Sequence, residues 1–176
     1  MVPLARSAGR ILRSAGDIGE MGVRGPNVVK GYWQMAGKTA EELREDGFFI
    51  TGDLGQIDED GYLHIVGRNK DLIISGGYNI YPKEIELLLD DEEGVLESAV
   101  VGVPHPDFGE TVVGVLVAED GAKLDLDAIK QNIGTSLARF KHPQKLVVVP
   151  ELPRNTMGKV QKKELRENYK DLFAPA

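Results

Sequence analysis

Three clusters in this sequence combine residue types that do chemistry. They are Thr51-Gly52-Asp53, then Gly67-Arg68 through Ser75-Gly76-Gly77-Tyr78-Asn79-Ile80-Tyr81-Pro82-Lys83-Glu84-Ile85-Glu86, and finally Leu152-Pro153-Arg154-Asn155-Thr156-Met157-Gly158-Lys159-Val160. A carboxylate can accept hydrogen bonds from two vicinal hydroxyls at once. An arginine presents a fixed fork of donors to hydroxyl and phosphate oxygens, and a lysine carries a point charge on a long flexible stem. Singly, each cluster has a plainer reading: Thr-Gly-Asp marks a turn, two adjacent glycines mark a tight turn, and a loop lysine or arginine is solvated or ion-paired. Their order and spacing are informative only together.

Other constellations fail on spacing. Gly37-Lys38-Thr39 would need a phosphate-loop glycine where Tyr32 stands. His64, His105 and His142 are too scattered for a metal site, and structural roles are expected for them. The turn Asp58-Glu59-Asp60-Gly61 would need further oxygen ligands at Tyr62 and Asn69 to hold calcium, so a solvated turn is expected. The acidic run from Glu84 to Glu97 is expected to be a solvated helix face. Lys162, Lys163 and Arg166 form a basic cluster beside Lys159 that could greet phosphates or serve solubility, and the sequence leaves that open.

Composition bounds the rest. With 176 residues, 41% hydrophobic and 28% charged, the chain has room for one ordinary domain or two small ones, too little to be a large multidomain enzyme by itself. The net charge of −7 disfavours nucleic acid and anionic membrane as partners. With no cysteine the chain can form no disulfide, thiolate zinc site, iron–sulfur cluster or cysteine nucleophile, which fits a reducing, cytoplasmic location. No apolar run approaches the length of a membrane span. Arg6, Arg10 and Arg13 interrupt any secretory h-region, so the first residues read as a strand or frayed terminus rather than a leader, and the terminal Ala-Pro-Ala is no peroxisomal address.

The elements that must position the clusters follow from local patterns. Lys38–Glu45 reads as a short helix with Thr39 and Glu42 as its capping box. Phe48 to Ile57 and Tyr62 to Val66 flank the acidic turn as a hairpin. A small strand at Leu72–Ser75 precedes a helix opened by Pro82 with Ile85, Leu88 and Leu89 on one face. Val95–Val103 and Thr111–Ala118 read as strands, Asp125 caps a helix with Leu126, Ile129, Ile133 and Leu137 inward, and Gly134 weakens it. Leu146–Val149 is a strand, and Lys162–Phe173 a final helix with Leu165, Tyr169 and Leu172 inward. The order α-β-β-α-β-α predicts an α+β fold, a mixed sheet flanked by helices, preceded by a glycine-punctuated β-rich piece. The charged connector Gly67-Arg68-Asn69-Lys70-Asp71 is a plausible hinge, dividing the chain into 1–69 and 70–176.

With all three clusters in this order, nearly everything after Asp17 resembles the C-terminal third of the AMP-forming acid–CoA ligases, the superfamily of acyl-CoA synthetases, luciferases and peptide-synthetase adenylation domains. The run from Asp53 to Glu86 is most similar to the malonyl-CoA synthetase and medium-chain acyl-CoA synthetase branch, which places the chain in fatty acid metabolism. The resemblance implies a two-step reaction. A carboxylate attacks the α-phosphate of ATP and releases pyrophosphate, then the CoA thiolate attacks the acyl-adenylate and releases AMP. It implies Lys159 as the adenylation lysine, Asp53 as the ribose-binding aspartate, Arg68 as a nucleotide contact and Lys70 as the hinge. It implies Gly76 and Gly77 as the lining of the pantetheine tunnel, where the lack of a Cβ lets backbone lie close to a thin ligand. Residues 1–69 would be a distorted barrel-like remnant of the large domain and residues 70–176 the mobile small domain.

The resemblance also implies a large N-terminal domain with the phosphate loop, the adenine and acyl pockets and a glutamate for Mg2+, none of which is in this chain. The isolated chain is therefore expected to be inactive and to bind no Mg2+ itself. Its expected partners are that domain, ATP, CoA and a short or medium carboxylic acid, with homodimerisation expected if the surface of Met1 to Val66 is apolar. The alternative is a stand-alone CoA-binding or protein-interaction module without catalysis.

Overall fold

Short apolar runs punctuated by glycines build an antiparallel sheet from the N-terminal part of the chain. The computed structural model describes residues 4–7, 10–11 and 16–175, and the chain divides between Lys70 and Asp71 into two units. The first unit holds β1 (Leu4–Ser7), β2 (Arg10–Ile11), β3 (Ile18–Val23), α1 (Ala36–Glu42), β4 (Phe49–Ile57) and β5 (Leu63–Arg68), with strand order β2-β1-β3-β4-β5. The strand expected near the start of the chain is present as β1 and β2; the rest of that reading lies outside the described residues. The expected hairpin forms, with Ile57 opposite Leu63. Its turn is closed by Asp58, which accepts from the Tyr62 amide at 2.8 Å and lies 2.6 Å from His64 Nε2. His64 is thus a structural partner of that turn.

The α1 expectation needs correction. The helix begins at Ala36, so Thr39 lies inside it rather than at its cap. The Thr39 hydroxyl donates to the Met35 carbonyl at 3.0 Å and accepts from the Tyr32 amide at 2.9 Å. Glu42 accepts from the Tyr32 hydroxyl at 2.5 Å instead of closing a capping box. A threonine hydroxyl that bonds back four residues competes with the capping role its sequence pattern promises.

The second unit contains β6 (Ile73–Ser75), β7 (Tyr78–Ile80), α2 (Pro82–Asp90), β8 (Val95–His105), β9 (Gly109–Ala118), α3 (Leu126–Ser136), β10 (Lys145–Val148) and α4 (Lys162–Tyr169). β9 is the centre of a mixed sheet: β8 pairs with it antiparallel along one edge, while β10 (parallel) and β6 (antiparallel) share the other. Both faces of β8 and β9 are covered, which is why they read as near-continuous apolar runs. Val100, Val112 and Leu116 point to a cluster with Ile85 and Leu89 of α2 and Ile129 and Ile133 of α3. Their neighbours Ala99, Val101, Val113 and Val115 point the opposite way, to a cluster with Leu152 and Leu165. The two-residue period of a strand sorts one sequence onto two cores. At Gly114 an added Cβ would stand 2.7 Å from Leu146 Cδ2 and 3.3 Å from Leu89 Cδ1, so packing demands a glycine there.

Asp125 caps α3 as expected, accepting from the amides of Asp127 and Ala128 at 3.1 Å each. Gly134 has a packing reason: a Cβ there would meet the His142 ring at 3.1 Å. That ring lies 3.1 Å from the Leu137 carbonyl, so His142 is structural too. The last helix stops at Tyr169, and Leu172 is 39% exposed rather than inward, whereas Tyr169 and Phe173 pack against the second cluster. His105 stacks on Phe108 at 4.7 Å. Among the described residues no helix is long and apolar enough to cross a membrane.

The units differ sharply in apolar burial. Among the described residues of the first, only Met21 and Leu54 are buried hydrophobics, while Trp33, Tyr62 and Ile65 are 87%, 71% and 64% exposed. A sheet of that kind lacks the buried area that stabilises an independent domain.

Candidate functional site

In the first unit, Asp53 and Arg68 stand directly opposite each other on β4 and β5. Arg68 Nε lies 3.2 Å from Asp53 Oδ1, with the aspartate side chain 25% and the arginine side chain 54% exposed. A bulge aims Asp53: Glu20 and Gly22 of β3 pair with Leu54 and Ile50, so Thr51-Gly52-Asp53 is partly extra chain. Gly52 takes φ +74° there, and Thr51 Oγ1 accepts from the Asp53 amide at 3.1 Å while donating to the Met21 carbonyl at 3.2 Å. The pair thus combines an acceptor carboxylate, oriented by its partner, with a guanidinium more than half open to solvent. Lys70 follows in a turn of 3-10 helix, Asn69–Asp71, and is exposed.

In the second unit, Gly76 and Gly77 form the two-residue turn of the β6–β7 hairpin, in which Ser75 faces Tyr78. Their φ values of +56° and +83° explain the glycines on backbone grounds alone. The strand β7 went unread in the sequence, although Gly-Gly between two apolar runs is a hairpin signal. The turn borders a cavity of about 710 Å3 whose walls include Tyr78, Phe140, Arg139, Lys130 and His142. Tyr78 and Phe140 stack there with centroids 4.5 Å apart. A flat aromatic shelf beside cationic side chains suits a ligand with a ring and anionic groups.

Lys159 sits at the end of a tight hairpin loop closed by the Arg154–Val160 bridge. Asn155 organises the loop: its Oδ1 accepts from the amides of Met157 at 3.0 Å and Lys159 at 2.9 Å, and its own amide donates to the Lys159 carbonyl at 3.0 Å. Gly158 takes φ +78°, and Arg154 donates to its carbonyl at 2.7 Å and pairs with Glu97. Lys159 itself is exposed, with its backbone held on both sides. A charged, flexible side chain projects from a backbone that is fixed.

The strands that carry the glycine turn and the chain that flanks the lysine loop are anchored in different cores of the same sheet. Ile73 and Ile80, which flank the turn, pack into the cluster on the α2–α3 side. Leu152 and Val160, which flank the loop, pack into the cluster on the α4 side.

The carboxylates between Glu84 and Glu97 are not a merely solvated face, which corrects the sequence reading. Glu86 is buried at 6% exposure and accepts from the Val100 amide at 2.9 Å. Lys162 Nζ lies 2.5 Å from its Oε1. Glu84 accepts from Lys141 at 2.7 Å, Asp90 from the Ser98 hydroxyl at 2.6 Å, and Glu97 from Arg154. Arg166 donates to Asp71 at 2.6 Å. Two members of the basic cluster beside Lys159 are thus held by acids of their own unit, and Lys163 remains exposed. The signal was present: Pro82, Ile85, Glu86 and Leu89 share one helix stripe, as do Lys162, Leu165, Arg166 and Tyr169.

Residues 84–159 match the family described as AMP-binding enzyme C-terminal domain. The chain carries the AMP-binding enzyme C-terminal domain and is homologous to the C-terminal part of AMP-forming acyl-CoA ligases. It is 46% identical to a feruloyl-CoA synthase of Amycolatopsis sp., over 88% of this chain and 31% of that protein. It is 46% identical to an indoleacetate–CoA ligase of Aromatoleum aromaticum, over 86% of this chain and 30% of that one. The crystal structure of ATP-bound MatB from Rhodopseudomonas palustris superposes with a TM-score of 0.89 at 55% identity, covering 98% of this chain and 34% of that one. The chain thus spans about a third of the length of these relatives.

Proposed function

We propose that this chain supplies the adenylation lysine, the hinge and the CoA-contacting glycines of an ATP-dependent acid–CoA ligase, which converts a carboxylate, ATP and CoA into acyl-CoA, AMP and pyrophosphate through an acyl-adenylate. The observation that carries the proposal is the exposed Lys159 on its Asn155-braced loop, within the stretch that matches the family. Attack of a carboxylate on the α-phosphate brings anion to polyanion, and a lysine ammonium at the reacting atoms offsets that repulsion in the transition state.

Asp53 binds the ribose hydroxyls and Arg68 contacts the nucleotide beside it; their pairing across β4 and β5 supports this reading. Residues 1–69 belong to the large domain and 70–176 form the mobile one, swivelling about Lys70. That motion would let the Lys159 loop and the Gly76-Gly77 turn, whose flanking residues are anchored in different cores of the second unit, serve the two half-reactions in turn. In the second step Gly76 and Gly77 line the path of pantetheine, and the aromatic, cationic cavity beside them supports CoA's nucleotide end lying there. The exposed Trp33, Tyr62 and Ile65 support burial of the first unit against the rest of the ligase, and a second copy of the chain would cover them when that domain is absent.

Mg2+ would be held by the phosphates of ATP and by the large domain. We place the enzyme in the cytoplasm, where its nucleotide and thioester substrates are held. Its acid is a short or medium carboxylic acid; likeness to MatB makes malonate the first candidate.

The test is acyl-CoA formation from ATP, CoA and a panel of acids including malonate. It compares the chain alone, the large domain of the MatB relative alone, and the two mixed or fused. Activity is expected only when both parts are present. Turnover by the chain alone, or silence of the fused protein with every acid, contradicts the proposal.

A further inference from the structure

Glu86 does something the reaction scheme above does not use. Its carboxylate is 8% exposed and reaches two other elements at once, accepting from the Val100 amide of β8 at 2.9 Å and from Lys162 Nζ, the first residue of α4, at 2.5 Å. Lys83 Nζ lies 4.0 Å from the second carboxylate oxygen. Lys162 is three residues beyond Lys159. On the other arm of the loop, Arg154 pairs with Glu97, also on β8, and donates to the Gly158 carbonyl. Both arms of the Lys159 hairpin are therefore tied by ion pairs to β8, one directly and one through Glu86.

We infer that Glu86 is a positioning residue for Lys159. By clamping Lys162 to β8 it fixes where the Lys159 loop leaves the sheet, and so where the ammonium is delivered. A buried ion pair adds little net stability compared with an apolar pair of the same shape, so such a pair is more readily explained by the geometry it specifies. The loop has few apolar anchors of its own: Met157 is 76% exposed, and Arg154 through Lys159 are all exposed. Displacement of a reacting group by about 1 Å can cost ~100-fold in rate, so a clamp at the base of the loop has leverage on the chemistry. This inference rests on the adenylation role proposed for Lys159.

Glu86→Gln keeps an acceptor for the Val100 amide and removes the charge that holds Lys162; Lys162→Met breaks the same tie from the other side. In the fused ligase, adenylation would be read by pyrophosphate exchange and thioesterification by turnover of preformed acyl-adenylate. Both variants are expected to lose ~10-fold or more in the kcat of adenylation, with KM for ATP and thioesterification within ~2-fold of the parent. In the unfused chain, amide exchange at Gly158 and Lys159 should quicken in both variants while β9 stays protected. Equal loss in both half-reactions, unchanged adenylation in both variants, or unchanged exchange at the loop would overturn the inference. Lys159→Ala serves as the separating control: if it too leaves adenylation intact, the role proposed for Lys159 has failed, while the exchange measurement still decides whether Glu86 holds the loop.

Discussion

Asp53 and Arg68 face each other across β4 and β5, with Arg68 Nε 3.2 Å from Asp53 Oδ1. Neither residue is deeply buried, so their mutual attraction contributes only ~0–1 kcal/mol to stability. A pair of this kind is better explained by what it presents to a ligand. Asp53→Ala in the fused ligase should weaken AMP binding ~10- to 100-fold, the value of charge-assisted hydrogen bonds to the ribose, while moving the thermal midpoint little. Calorimetric titration with AMP and a thermal melt check both halves of this expectation.

The Gly76-Gly77 turn allows backbone need and ligand need to be separated. Asparagine tolerates the φ of +83° at Gly77, whereas valine does not. Gly77→Val should lower stability by ~1–2 kcal/mol. Gly77→Asn should leave the melt nearly unchanged and still depress thioesterification, because its side chain enters the path proposed for pantetheine. Full thioesterification in Gly77→Asn would mean that the glycine serves the turn alone.

Packing at the centre of the second unit gives a stability expectation independent of function. In Gly114→Ala the new methyl meets Leu146 Cδ2 at 2.7 Å, on a face already filled by Leu89. Overpacking of this kind costs ~1–3 kcal/mol. Urea unfolding should show a lower midpoint with an unchanged slope.

Much of this arrangement was legible in the residues. β8 and β9 could be read because burial on both faces demands unbroken apolar runs, and Asp125 because its carboxylate caps α3 as such residues do. Thr39 misled because its hydroxyl satisfies Met35 instead of the helix start. Glu86 departs from the solvated face expected of its acidic run, and Lys162 and Arg166, whose role the sequence leaves open, are held by acids of their own unit. Their positions on the inward stripes of α2 and α4 pointed away from solvent, and only the fold shows which acid meets which base. The anchoring of the glycine turn and the lysine loop in different cores depends on strand register, which composition and spacing do not contain.

The β4–β5 turn carries a pH-dependent contact. The hydrogen bond from His64, with the Tyr62 amide, holds Asp58 below its ordinary value of 3.8. A depressed carboxylate stabilises the fold above its unfolded pKa, and that contribution disappears as pH falls through the folded value. His64→Ala should therefore move the Asp58 carboxyl titration, followed by NMR, back toward the ordinary value. It should also shrink the loss of hairpin stability below pH 3.8. An unmoved Asp58 titration would show that the backbone amides of the turn set it without His64.

The central claim is that Lys159 serves the first half-reaction and not the second. The direct measurement is the pair of half-reaction rates in the fused ligase with Lys159→Ala. Pyrophosphate exchange should fall by ~100- to 1,000-fold, the scale of losing one preorganised charge-stabilising group, while turnover of preformed acyl-adenylate with CoA continues near the parent rate. Retained exchange, or equal loss of both rates, would contradict the account.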